Sequence, residues 1–104
     1  MKNKNQNLQE LQFLEQNLQN ILFQKQAFQM ELSETNVALK EIENSGDEVF
    51  KIVGQLMLKT KKSKIKEELS NKKKMLDLKM KTFEKQENSL TDQIDKLRGE
   101  ILKK

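Results

Sequence analysis

The sequence contains no cysteine, proline, histidine, tryptophan or tyrosine, and its 104 residues include only three glycines. Each absence removes chemistry. Without cysteine there is no disulfide framework, thiol catalysis or thiolate metal site. Without histidine there is no imidazole base and no usual zinc or iron ligand set. The lack of proline and the scarcity of glycine argue against a loop-rich fold. Five Phe are the only aromatics, so a compact core of ordinary size is not expected. No uncharged apolar stretch approaches the ~20 residues needed to span a bilayer. The polar segment 1–6 is followed by no apolar region of signal-peptide type, so a cytoplasmic protein with no membrane attachment is expected.

What is present is Lys, Glu, Leu and Gln, a composition of long helices. Charged and hydrophobic residues each make up 35% of the chain, and the net charge is +4. That charge is uneven: residues 1–44 carry 4 Lys and 6 Glu, while residues 64–104 carry 12 basic and 8 acidic groups.

Two segments carry a sustained heptad. In the first, Leu11, Leu14, Leu18, Ile21, Lys25, Phe28, Leu32, Thr35, Leu39 and Ile42 follow a 3-4-3-4 spacing. Such a repeat makes one seam on a helix, and the seam must meet another helix. In the second, Leu69, Leu76, Phe83, Leu90 and Leu97 recur every seven residues, with Ile65, Met80, Ile94 and Ile101 widening the stripe. The expected helices span 8–44 and 63–103, with Asn44 and Gly46 closing the first and Ser63 capping the second. At 1.5 Å per residue these are rods of roughly 55–60 Å. Equal rods joined by fewer than ~20 residues fold back into an antiparallel pair. Two helices pairing between chains in a parallel dimer is the competing arrangement. Lys25 inside the seam reads as a snorkelling stem at a water-accessible layer.

The interruption is the most specific feature. Residues 48–61 are rich in β-branched and aliphatic side chains, and Gly54-Gln55 suits a two-residue type II′ turn, which places Gly first. That turn sets Val53 opposite Leu56, Ile52 opposite Met57, Lys51 opposite Leu58, Phe50 opposite Lys59 and Val49 opposite Thr60. Both faces of the hairpin are then mostly apolar. A lone two-stranded hairpin is marginal, and one with sticky faces and free edges demands partners. The assembly residues are Val49, Phe50, Ile52, Val53, Gly54, Leu56, Met57 and Leu58.

A helix, one β-hairpin and a return helix, with Glu48-Val-Phe-Lys-Ile-Val-Gly-Gln-Leu-Met-Leu-Lys-Thr60 at the crossing, resembles the β-class prefoldin subunit of archaeal type. Glu67-Glu68-Leu69 and the run Lys81-Thr82-Phe83-Glu84-Lys85-Gln86-Glu87 support the likeness, which covers nearly the whole chain. An α-class subunit would carry two hairpins, and this sequence has room for one. The resemblance implies a mainly α chain: a long antiparallel two-helix coiled coil whose central hairpin joins an intersubunit β-barrel. It implies a hexamer of two α-class and four β-class subunits. It further implies ATP-independent holding of non-native proteins and their transfer to a group II chaperonin, without a cofactor. The chain is unusually basic at its end, with Arg98, Lys103 and Lys104, so the sign of a chaperonin contact is open.

In the antiparallel arrangement both arm ends lie together, opposite the hairpin. Leu8, Leu11, Phe13 and Leu14 from one arm and Leu97, Ile101 and Leu102 from the other are the candidate client-binding residues. Leu11, Leu14 and Leu97 also serve to close the coiled coil, whereas Phe13 and Leu102 fall off the seam. Phe23, Met30 and Val37 form a second apolar line, and Asn and Gln fill 13 of the first 30 positions. A polar helix surface explains that density better than low complexity. A lysine cluster at Lys59, Lys61, Lys62, Lys64 and Lys66, followed by Lys72, Lys73 and Lys74, raises nucleic-acid binding as a rival. No aromatic is interleaved for base stacking and Arg is nearly absent, so a solvated shoulder explains it better. An enzyme is not expected: the three glycines stand alone, and no pocket is implied to perturb a carboxylate.

Overall fold

The computed structural model describes residues 3–103. The element order is helix α1 (Lys4–Glu43), strand β1 (Glu48–Val53), strand β2 (Leu56–Lys61) and helix α2 (Lys62–Leu102). Helix α1 begins at Lys4, four residues before the expected start at residue 8. The side chain of Asn3 accepts a hydrogen bond from the Gln6 amide at 2.8 Å, and the Gln6 side chain accepts one from the Asn3 amide at 3.2 Å. This reciprocal pair is a capping box built from amides.

Of the expected caps, those at Gly46 and Ser63 are corrected. Gly46 has no positive φ, so it is not a left-handed residue closing α1. The helix ends instead on tight bonds from the Asn44 and Ser45 amides to the carbonyls of Glu41 and Ile42, with the Ser45 hydroxyl donating to Ile42 O at 2.7 Å. Lys62 completes the closure: its Nζ donates to the carbonyls of Glu43 and Ser45, at 3.0 and 3.2 Å. A cation on the last carbonyls of a helix meets the negative end of its dipole. Ser63 is not the cap of α2, because β2 runs to Lys61 and the helix begins at Lys62, whose amide donates to Asp47 O.

The chain divides into two compact units. The end unit comprises residues 1–27 and 79–104. Its core is Leu14, Ile94 and Leu97, with Leu11, Leu18, Leu90 and Ile101 packed against them. The helices there run antiparallel: Glu15 pairs with Arg98 at 2.7 Å and Lys25 with Glu87 at 2.8 Å.

The hairpin unit comprises residues 28–78. Thr35, Ile42 and Leu76 are its buried side chains, and Leu76 is closed to solvent entirely. Thr35 is satisfied by donating its hydroxyl to Glu31 O, four residues back, so a polar residue occupies the seam without an orphan group. Lys72–Glu31 and Lys66–Glu43, at 3.1 and 2.5 Å, link the helices across the surface.

All ten seam positions expected in α1 are buried or half-buried, and so are the nine apolar positions singled out in α2. The stripe is therefore the packing face, as the 3-4 spacing requires. Besides Lys25 and Thr35, three further polar residues share it. Asn7 lies four residues before Leu11 and is buried, and Lys73 and Glu87 continue the α2 seam as half-buried positions.

Candidate functional site

The hairpin pairs Val53 with Leu56, Ile52 with Met57, Lys51 with Leu58, Phe50 with Lys59 and Val49 with Thr60, antiparallel. This is the register the turn imposes. Gly54 has φ +61° and Gln55 does not have positive φ, the φ signs of a type II′ turn. A side chain at Gly54 would be strained at that φ although it would meet no neighbour.

The apolar hairpin side chains stay in solvent. Phe50, Ile52, Leu56 and Met57 are 63–70% exposed, and Val53 and Leu58 about half exposed. Only Val49 and Thr60 are half-buried. These two share a face with Lys51, whose Nζ reaches Glu68 of α2 at 2.9 Å. The opposite face, with Phe50, Ile52 and Met57, carries no cover within the described residues. Lys59 and Glu48 form a further exposed pair at 3.1 Å. The sheet has two strands, so each strand has one unpaired edge.

Two carboxylates at the base of the hairpin are held below the ordinary glutamate value of 4.5. The hydrogen bond and charge of Lys66 lower Glu43, aided by Lys62, and the hydrogen bond from Lys51 lowers Glu68. A depressed folded value adds stability that is complete above the unfolded pKa and is lost as pH falls through the folded one. Thermal melts from pH 7 towards pH 3 are expected to lose stability below about pH 4.5, and Glu43→Gln with Glu68→Gln is expected to flatten part of that loss. Both groups are half exposed, so the effect is modest.

At the other unit, the candidate client residues separate into two sets. Leu14 and Leu97 are core, and Leu11 and Ile101 are packed against it. Leu8 is 41%, Phe13 64% and Leu102 82% exposed. Asn7 is buried beside this end, and its Oδ1 has no hydrogen-bond partner. Lys25 is not a lone snorkelling stem. Glu87 sits in the α2 seam, three residues before Leu90, and the two form a polar layer with side chains about one quarter exposed. The hydrogen bond from Lys25 to Glu87 raises the lysine pKa, which favours the charged lysine. The phase of the heptad marks Glu87; an apolar pattern alone passes over it.

Half of the lysine cluster is engaged locally: Lys59, Lys62, Lys66 and Lys72 are bound to acidic groups or carbonyls. Among the described residues no cluster of acidic side chains is placed to hold a metal ion, and no helix is long and apolar enough to cross a membrane.

Comparison with known proteins agrees with this architecture. The family described as prefoldin subunit matches residues 5–104. Prefoldin subunit beta of Sulfurisphaera tokodaii is 38% identical over 96 residues, covering 90% of this chain and 77% of the relative. Prefoldin subunit beta of Pyrobaculum aerophilum is 40% identical over 88 residues, covering 83% and 70%. The crystal structure of the prefoldin beta subunit from Thermococcus strain KS-1 superposes with a TM-score of 0.88 at 36% identity, covering 97% of this chain and 94% of that one. With one hairpin between two coiled-coil helices and relatives of the β class, the chain belongs to the prefoldin subunit family, a family of non-enzymatic chaperone subunits.

Proposed function

We propose that this chain is a β-class subunit of an ATP-independent chaperone of the cytoplasm. Its hairpin joins those of other subunits in a hexamer of two α-class and four β-class chains. Its arm ends hold non-native proteins, prevent their aggregation and deliver them to a group II chaperonin. The observation that carries the reading is the hairpin. A two-stranded sheet with one face of Phe50, Ile52 and Met57 in solvent is stable only when other strands or helices cover it.

Holding without ATP needs only weak, differential affinity. Leu8, Phe13 and Leu102 are exposed apolar groups near the arm end, in a unit that also exposes Leu22 and Phe23 further along α1. At ~25 cal/mol per Å², a few such side chains attach a client weakly. Several arms on one client then multiply the effect through effective concentration. Leu11, Leu14, Leu97 and Ile101 belong to the core in this state and reach a client only where the end opens.

Light scattering after size exclusion tests the assembly. Mixing the chain with an α-class subunit is expected to give a species with the mass of two α and four β chains. For the arm ends, Phe13→Ser with Leu102→Ser is expected to leave that assembly intact and to reduce suppression of client aggregation several-fold. Unchanged suppression would remove the arm-end assignment.

A further inference from the structure

The dense Asn and Gln of the first arm have a use beyond solubility. In the end unit a groove of about 550 Å³ runs between the two helices. Its apolar floor is Ile21 and Leu90, and its walls carry Asn17, Asn20 and Gln24 from α1 and Gln86 from α2. No charged side chain lines it. Ser89, also on the rim, accepts a hydrogen bond from Gln93. The four amides differ: among the described residues none of them is spent on a hydrogen bond.

We propose that this groove holds the backbone of an extended, unfolded polypeptide. The inference rests on the reading of the chain as a holder of non-native proteins, and names a second surface and the group it recognises. A side-chain amide is chemically a peptide group, with donors and an acceptor. An amide row therefore matches a main chain whatever its side chains are. Folded proteins have nearly all their backbone groups paired, so the groove selects unfolded chains by free N–H and C=O groups and not by apolarity. The dimensions fit. Asn17, Asn20, Ile21 and Gln24 lie on one face of α1 at i, i+3, i+4 and i+7. At 1.5 Å per residue they span about 10 Å, the length of roughly three residues of extended chain. The helical row repeats at about 5.4 Å, whereas like-facing groups of a strand repeat at about 6.7 Å, so the match holds for a short segment and then drifts. Water competes for exposed amides, so the contact is weak and acts together with the arm-end apolar groups.

The test uses the full chain and a fluorescein-labelled, unstructured 20-residue peptide of mixed apolar and polar residues. A second peptide of the same sequence has alternate backbone nitrogens methylated. Fluorescence anisotropy is expected to show 3- to 10-fold weaker binding of the methylated peptide. Asn20→Ala, Gln24→Ala and Gln86→Ala together are expected to weaken the unmethylated peptide by the same factor and to abolish the difference between the two peptides. Alanine favours the helix, and circular dichroism checks that the fold is kept. The amide-keeping exchange Asn20→Gln with Gln24→Asn should retain most of the discrimination. Phe13→Ser with Leu102→Ser should weaken both peptides equally and keep their ratio. Equal binding of the two peptides by the unaltered chain, or an undiminished ratio in the triple alanine variant, overturns the groove. Loss through the arm-end pair alone would leave the chaperone reading standing without it.

Discussion

A chain carrying Ile52→Asp and Met57→Asp is expected to remain helical and to stop assembling. These two residues stand directly opposite each other on the open face of the hairpin, at 70% and 65% exposure. In the isolated chain they touch little, so replacing them removes little packing. In an assembly that covers the face, two carboxylates would be desolvated side by side. Like charges in directly opposed strand positions repel, and burying an unpaired charge is costly enough to exclude the buried state. Light scattering of the altered chain with an α-class subunit should show only unassembled species, while the far-ultraviolet circular dichroism keeps its helical signal. Lys51→Ala with Val49→Thr, on the half-covered face, is the contrast: it should change assembly far less. If the double aspartate variant assembles as well as the original, the exposed face is not the contact, and the unpaired strand edges must carry it alone.

The hairpin was the part most legible in the sequence, because a two-residue turn leaves no freedom in register. Once Gly54 and Gln55 are placed, every cross-strand partner follows, and the pairing agrees at all five positions. The seam was legible for a similar reason: ten positions at 3-4 spacing can share only one face of a helix. What escaped was polar or local. Asn7 and Glu87 fall in phase with the leucines, yet a search for apolar residues passes over them. The caps escaped because the groups that close a helix need not be neighbours in sequence. The end of α1 is held by Lys62, nineteen residues after Glu43. The arm end was legible as a set of residues but not in its division. Seven apolar side chains there look alike in sequence; only packing separates Leu14 and Leu97 from Phe13 and Leu102.

Leu76→Ala is expected to have the largest effect on the stability of the chain itself. Leu76 is fully closed to solvent, the one side chain of the hairpin unit in that condition among the described residues. A coiled coil has no deep interior. Each seam layer is buried only by its neighbours above, below and across, so a truncated layer cannot be refilled from a reservoir of core. Removing a buried leucine to Cβ costs about 2–5 kcal/mol, the higher values where the site does not collapse. For a chain of this size that corresponds to a fall in melting temperature of roughly 10–20 °C. Met75→Ala is the matched control. Met75 precedes it on the same helix and is half exposed, so its truncation should stay within about 0.5 kcal/mol. Melting should be followed by circular dichroism at two concentrations, since assembly stabilises whichever state it binds. A large, concentration-independent gap between the two variants places the stability in the seam. A small gap that grows with concentration would place it in the contacts between subunits, and the lone hairpin unit would then be marginal without them.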